Sequence, residues 1–152
     1  MKANVIFLNV EDVLTSDSNG INRLEYSNDS LNHLNELCNA INGKVVLIGS
    51  HRYELTSKLM KKLLSKFESH NIKCIGTTLN LNTDRETEIT DFLNSHKEYG
   101  NEIDYIIIDN EDVYHYQKNH TIIVKPNLFG EGLCEDYKNQ AIELFNKLYK
   151  GK

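Results

Sequence analysis

Two short stretches hold the residues whose types and positions suit chemistry. The first, VIFLNVEDVL at residues 5–14, is an apolar run that ends on Asn9, Glu11 and Asp12 and turns apolar again at Val13 and Leu14. The second, YIIIDNED at residues 105–112, ends on Asp109, Asn110, Glu111 and Asp112. In an extended segment residues two apart share one side, so Asn9 and Glu11 are placed to face one substrate. Carboxylates at such tips suit a phosphate and a hard cation. Position 9 instead carries an amide, which is a poor nucleophile and brings no charge to a metal. The stretch therefore reads either as an active centre or as the remains of one.

For the two tips to act together, neighbouring strands must position them. Runs rich in β-branched residues predict five strands, at 3–8, 44–48, 72–75, 103–108 and 120–124. Between them, Leu31, Leu34, Leu37, Cys38 and Ile41 trace one face of a helix, opened by Asn28, Asp29 or Ser30 and closed by Gly43. Leu55, Leu59, Leu63 and Phe67 recur every four residues in a second helix that ends near His70. A third is capped by Thr83 or Asp84 and runs through Ile89, Phe92 and Leu93 to about His96. A short helical turn at 111–117 and a last helix from Glu135 to Leu148 complete the pattern. Strands and helices that alternate, with strands apolar almost throughout, imply an α/β fold: a three-layer α/β/α sandwich around a Rossmann-like, parallel five-stranded sheet, without a sizeable cap domain. In such sheets ligands bind beyond the carboxyl ends of the strands. The positions to watch are Asn9 and Glu11, Gly49 to Arg52, Thr77 and Thr78, and Asp109 to Asp112.

Composition narrows the classes. With 152 residues, 39% of them hydrophobic and one proline, the chain is read as a single domain over 1–152 with its own core. A net charge of -5 gives no overall reason to approach nucleic acid or an anionic membrane. Cys38, Cys74 and Cys134 are far apart, which indicates neither a disulfide framework nor a zinc site and fits a reducing, cytoplasmic setting. No run is apolar enough to predict a signal peptide or a membrane span.

The ordered set FLNVEDVL, VVLIGSHR, RETEI (85–89), YIIIDNED and Gly132–Leu133 resembles the motifs of the haloacid dehalogenase (HAD) superfamily. It is closest to the small HAD domains associated with RNA-repair proteins, whose motifs read FLDxDGVL, VLSSSWR, RxxEI and hhhDD. The resemblance covers nearly the whole chain in the right order. It implies a phosphatase fold in which a first aspartate attacks phosphorus, a second serves as acid and base, and an acid after the fourth strand holds Mg²⁺. Asn9 falls on the nucleophile position and Glu11 on the acid/base position, and both depart from the pattern. Asp12 stands where a glycine lets the loop turn, and Asn110 replaces the second acid of the late pair. Asp109 carries over as a metal ligand, with Asn9 and Asn110 as weak companions. Ser50, Arg52 and Arg85 are the candidates for gripping phosphate.

An amide at position 9 stops a covalent phosphoaspartate and strips charge from the cation site, so the resemblance implies at most weak Mg²⁺ affinity. Glu11 keeps the carboxylate but moves it by one methylene, where a displacement near ~1 Å can cost on the order of 10²-fold. The reading favoured here is a catalytically impaired pseudoenzyme with a binding or regulatory role. Two others stand beside it. One is an active Mg²⁺-dependent phosphohydrolase acting on a phosphorylated small molecule, a nucleotide or a nucleic-acid end. The other is an interaction protein that meets a protein partner through a surface away from the strand tips. Lys58, Lys62 and Lys66, with Lys61 beside them, form a basic stripe that reads first as a solvated helix face. His51, His115 and His120 and the tyrosines at 105, 114, 116 and 137 read first as surface or packing residues.

Overall fold

A computed structural model describes residues 3–15, 26–49, 57–96, 102–125 and 132–150. Its sheet consists of β1 (Ala3–Asn9), β2 (Gly43–Ile48), β3 (Cys74–Thr77), β4 (Ile103–Asp109) and β5 (Thr121–Ile123). All pairings are parallel, in the order β3-β2-β1-β4-β5. The helices are α1 (Asn28–Ile41), α2 (Ser57–Ser69), α3 (Arg85–Ser95) and α4 (Glu135–Tyr149), with a 3₁₀ turn at Lys118–His120. This is the α/β sandwich expected from the alternation.

The alternation of side chains along each strand builds two cores. Ile6, Leu8, Val45, Leu47, Ile106 and Ile108 pack on one side against α1, α2 and α4. Val5, Phe7, Val46, Ile48 and Ile107 pack on the other against Ile89 and Phe92 of α3. The chain thus runs outward from β1 to β2 and β3 with helices on one face, then returns through α3 on the opposite face to β4. Such a reversal leaves a crevice at the tips of the two central strands, here β1 and β4. Asn9 continues the Val5–Phe7 row, and Asp109 continues the row of Ile107, so both side chains emerge on the α3 side.

Several boundaries differ from the sequence expectation for identifiable reasons. The first helix is capped by Ser27, whose side chain accepts from the Ser30 N–H, and closed by Asn42 in the left-handed region, which frees Gly43 to begin β2. The third strand starts at Cys74, not at 72. Asn71 at φ 57° ends α2, and the N–H of Ile72 reaches back to the Phe67 carbonyl at 2.8 Å, so Ile72 is buried as part of a helix stop. The short helical turn expected at 111–117 is absent; the helical hydrogen bonding falls at Lys118–His120. Of the two caps offered for α3, Asp84 is the one used, accepting from Thr87 N–H at 2.8 Å. Leu55 lies outside the described residues.

Candidate functional site

Asp109 is wholly buried and its carboxylate is fully engaged. Arg85 Nη1, from the first turn of α3, lies 2.7 Å from both Oδ1 and Oδ2. The Tyr114 hydroxyl donates to Oδ2 at 2.6 Å, and the backbone N–H of Glu111 donates to Oδ1 at 3.1 Å. An ionised carboxylate offers about four lone-pair positions, and these four contacts fill them. Burial works against the Arg85 charge, but the Asp109 carboxylate, aided by Glu111 and Tyr114, outweighs it and raises the guanidinium above its usual value. Burial first, and then the adjacent Asp109 charge, push the Tyr114 phenol far upward, so it stays protonated and donating.

Beside this pair, a chain of side-chain amides links the two tips. Asn110 Nδ2 donates to Asp12 Oδ2 at 3.1 Å, while Asn110 Oδ1 accepts from Asn9 Nδ2 at 2.6 Å. The same Asn9 nitrogen donates to the Glu11 carbonyl at 3.0 Å. An ionised Asp12 can only accept, so Asn110 must turn its NH₂ that way and present its oxygen to position 9. A donor is therefore required at 9, and an amide supplies it. Asp12 adopts φ 61°, making the turn for which a glycine was expected, and its N–H donates to Thr15 Oγ1.

Two glycines let other backbone approach the tips. Gly49, at φ 82°, sits against the Asn9 amide, and a Cβ there would collide with Asn9 Oδ1 and lie 3.5 Å from Arg85 Nη2. Gly132, at φ 63°, sits against the Val13 carbonyl, which accepts from Leu133 N–H at 2.8 Å. The late Gly–Leu pair thus seats the chain before α4 on the loop after β1.

The acids of RETEI proved to be anchors, a role that sequence reasoning missed. Buried Glu86 accepts three backbone N–H groups, from His115 at 2.9 Å, Tyr116 at 2.7 Å and Gln117 at 2.8 Å. Glu88, also buried, accepts from Leu81 N–H at 3.0 Å. Two residues apart on a helix point in different directions, so the first turn of α3 holds both the loop after β3 and the loop after β4. The signal available in sequence was a pair of acids that recur on a helix otherwise turned toward an apolar core.

Among the proposed site residues, the fold brings Asn9, Asn110, Arg85 and Asp109 into one cluster, with Glu11 contributing its carbonyl. Ser50, Arg52 and His51 lie outside the described residues. Thr77 ends β3, and Thr78 is buried with its N–H on the Leu47 carbonyl at 3.0 Å. Over residues 5–135 the sequence matches the family described as the HAD domain in Swiss Army Knife RNA repair proteins. The chain belongs to that family. No curated protein and no solved structure matches it.

HAD domains generally rely on Mg²⁺, and the donors at this HAD crevice do not fit it as arranged. A hard dication needs free oxygen ligands; Asp109 has none left, and Asn9 turns its NH₂ toward the oxygens of Asn110 and Glu11. Among the described residues no group of three His, Cys, Asp or Glu side chains is placed to hold a metal. What the cluster does offer is a neutralised crevice, with Arg85 supplying the positive charge.

Proposed function

We propose that this HAD domain is a catalytically impaired pseudoenzyme that serves in binding or regulation. The observation that carries the reading is the enclosure of Asp109 by Arg85, Tyr114 and the Glu111 N–H, next to an amide at position 9 that bridges two oxygens. In-line attack on phosphorus needs a nucleophile of adequate basicity and positive charge to stabilise the developing oxyanions. Asn9 offers no such nucleophile, and the Arg85 guanidinium is already paired.

A phosphatase assay with Mg²⁺ and a generic aryl phosphate compares the chain as it stands with the Asn9→Asp, Glu11→Asp double variant. Turnover at background level in the former is the expected outcome, with the double variant as the comparison that returns both aspartates to the family's pattern. Equal, substantial turnover by the unaltered chain would sink the proposal and favour the phosphohydrolase reading, with a nucleotide or a nucleic-acid end as substrate.

A further inference from the structure

Helix α2 has a charge pattern that neither folding nor the crevice accounts for. Its thirteen residues include four lysines, Lys58, Lys61, Lys62 and Lys66, and one acid, Glu68, although the chain as a whole has more acids than bases, 22 against 17. Lys58, Lys62 and Lys66 stand four apart, which sets them in a line with steps of about 6 Å. Like charges at that spacing repel and weaken a helix. Among the described residues none of the four forms an ion pair, whereas Lys138 of α4 pairs with Glu36 at 3.0 Å.

The stripe also borders a concavity. Lys62 and Lys66 line a groove of about 310 Å³ with Tyr26 and Asn28, at the start of α1. Tyr26 is bridged to Thr15, on the chain leaving the tip of β1. Because α2 must carry the chain back for parallel β3, its Lys58 end lies at the edge of the sheet where the strands finish. The basic line therefore runs from the crevice side down the groove.

We infer that the α2 lysine line and the Tyr26–Asn28 groove form a docking track for the backbone of single-stranded nucleic acid. Charge complementarity selects a polyanion, and steps of about 6 Å suit successive phosphates along an extended strand. A flexible single strand can follow the groove that Lys62 and Lys66 line, whereas a rigid duplex cannot bend into it. A membrane surface fits less well, since an interfacial helix must expose a broad apolar face and here Leu63 and Phe67 are buried in the core. This inference goes beyond the pseudoenzyme reading and does not depend on it.

The test is fluorescence anisotropy of the full chain with a labelled single-stranded RNA of about 12 nucleotides, titrated from about 50 to 200 mM salt. The expected result is salt-dependent binding that the Lys58→Gln, Lys62→Gln, Lys66→Gln variant weakens by about 10-fold or more at the low-salt end. Each lost phosphate contact should remove roughly 0.7 from the slope of log K against log salt, so the triple variant should lose about 2. The matching Lys→Arg variant should retain binding, and circular dichroism melting should show both variants folded, since Lys58 and Lys62 are exposed. If the triple variant melts early, the single Lys62→Gln variant carries the same comparison with a slope change of about 0.7. No binding by the unaltered chain, unchanged affinity and slope in the folded variants, or tighter binding to phosphatidylserine vesicles or polyglutamate than to RNA would each overturn it. The Asn9→Asp, Glu11→Asp variant should bind RNA as the unaltered chain does, which separates this result from that of the phosphatase assay.

Discussion

At position 9 the surroundings dictate the side chain. Asp12 orients Asn110, Asn110 presents an oxygen, and the Glu11 carbonyl presents another, so an aspartate at 9 would set acceptor against acceptor. Asn9→Asp alone should therefore lower stability by about 1–3 kcal/mol at neutral pH, read from urea unfolding. A neutral or stabilising effect would mean that the three side chains rearrange freely and that the amide chain has no structural weight. Arg85 is the more sensitive position. Replacing it by Met leaves the Asp109 charge buried without its ion partner, and breaking such a pair costs about 3–5 kcal/mol. Tyr114→Phe removes a single hydrogen bond to that charged group and should cost about 1.5–3 kcal/mol. If Arg85→Met proved milder than Tyr114→Phe, the guanidinium could not be the main support of Asp109.

At the scale of elements, the first turn of α3 is the hub. Glu86 gathers the N–H groups of three successive residues, which explains why 115–117 forms no helical turn although its sequence suggested one: the loop's donors point at a carboxylate from another element. Glu86→Ala should strand the buried Gln117 N–H at a loss of about 1–3 kcal/mol, while the part-buried His115 and Tyr116 donors turn to water and add less. It should also speed amide exchange at His115, Tyr116 and Gln117 while leaving β1 protected. Uniform acceleration across the sheet would instead place Glu86 in the global core. Gly132 plays a comparable part between β1 and α4. Gly132→Ala meets both a left-handed backbone and the Val13 carbonyl, and a shift of the 132–133 segment should be visible as loss of amide protection at Leu133.

At the scale of the molecule, the tyrosines set an alkaline limit. Tyr149 on α4 accepts from Tyr105 N–H at 3.1 Å and donates to the Tyr105 carbonyl at 3.2 Å, closing the open start of β4. Burial pushes its phenol from 10.0 up to about 12, partly offset by that backbone hydrogen bond. Burial raises Tyr26, Tyr105 and Tyr114 as well. A group whose folded pKa lies above its unfolded value binds its proton more tightly when folded, so its contribution is intact below the unfolded pKa and disappears as pH rises through the folded one. Stability should hold below pH 10 and fall between 10 and about 12, the window set by Tyr149. Tyr149→Phe should flatten that limb in melts recorded across the alkaline range. An unchanged limb would assign the loss to the other tyrosines.

The local pattern was enough to recover the order of strands and helices, the parallel sheet and the strand-tip positions, because burial imposes a period of two on strands and near four on helices, and both are written along the chain. It also marked Asn9 and Asn110 as departures from the resembled pattern, since residue type alone decides whether a side chain carries charge. Tertiary structure alone decided the partnerships. Arg85 meets Asp109 across 24 positions and Asn9 meets Asn110 across 101, separations at which no periodicity operates. Which donor faces which acceptor depended on the return of α3 over the opposite face of the sheet. For the same reason the acids of RETEI read as charges on a helix until the fold brought two loops onto them.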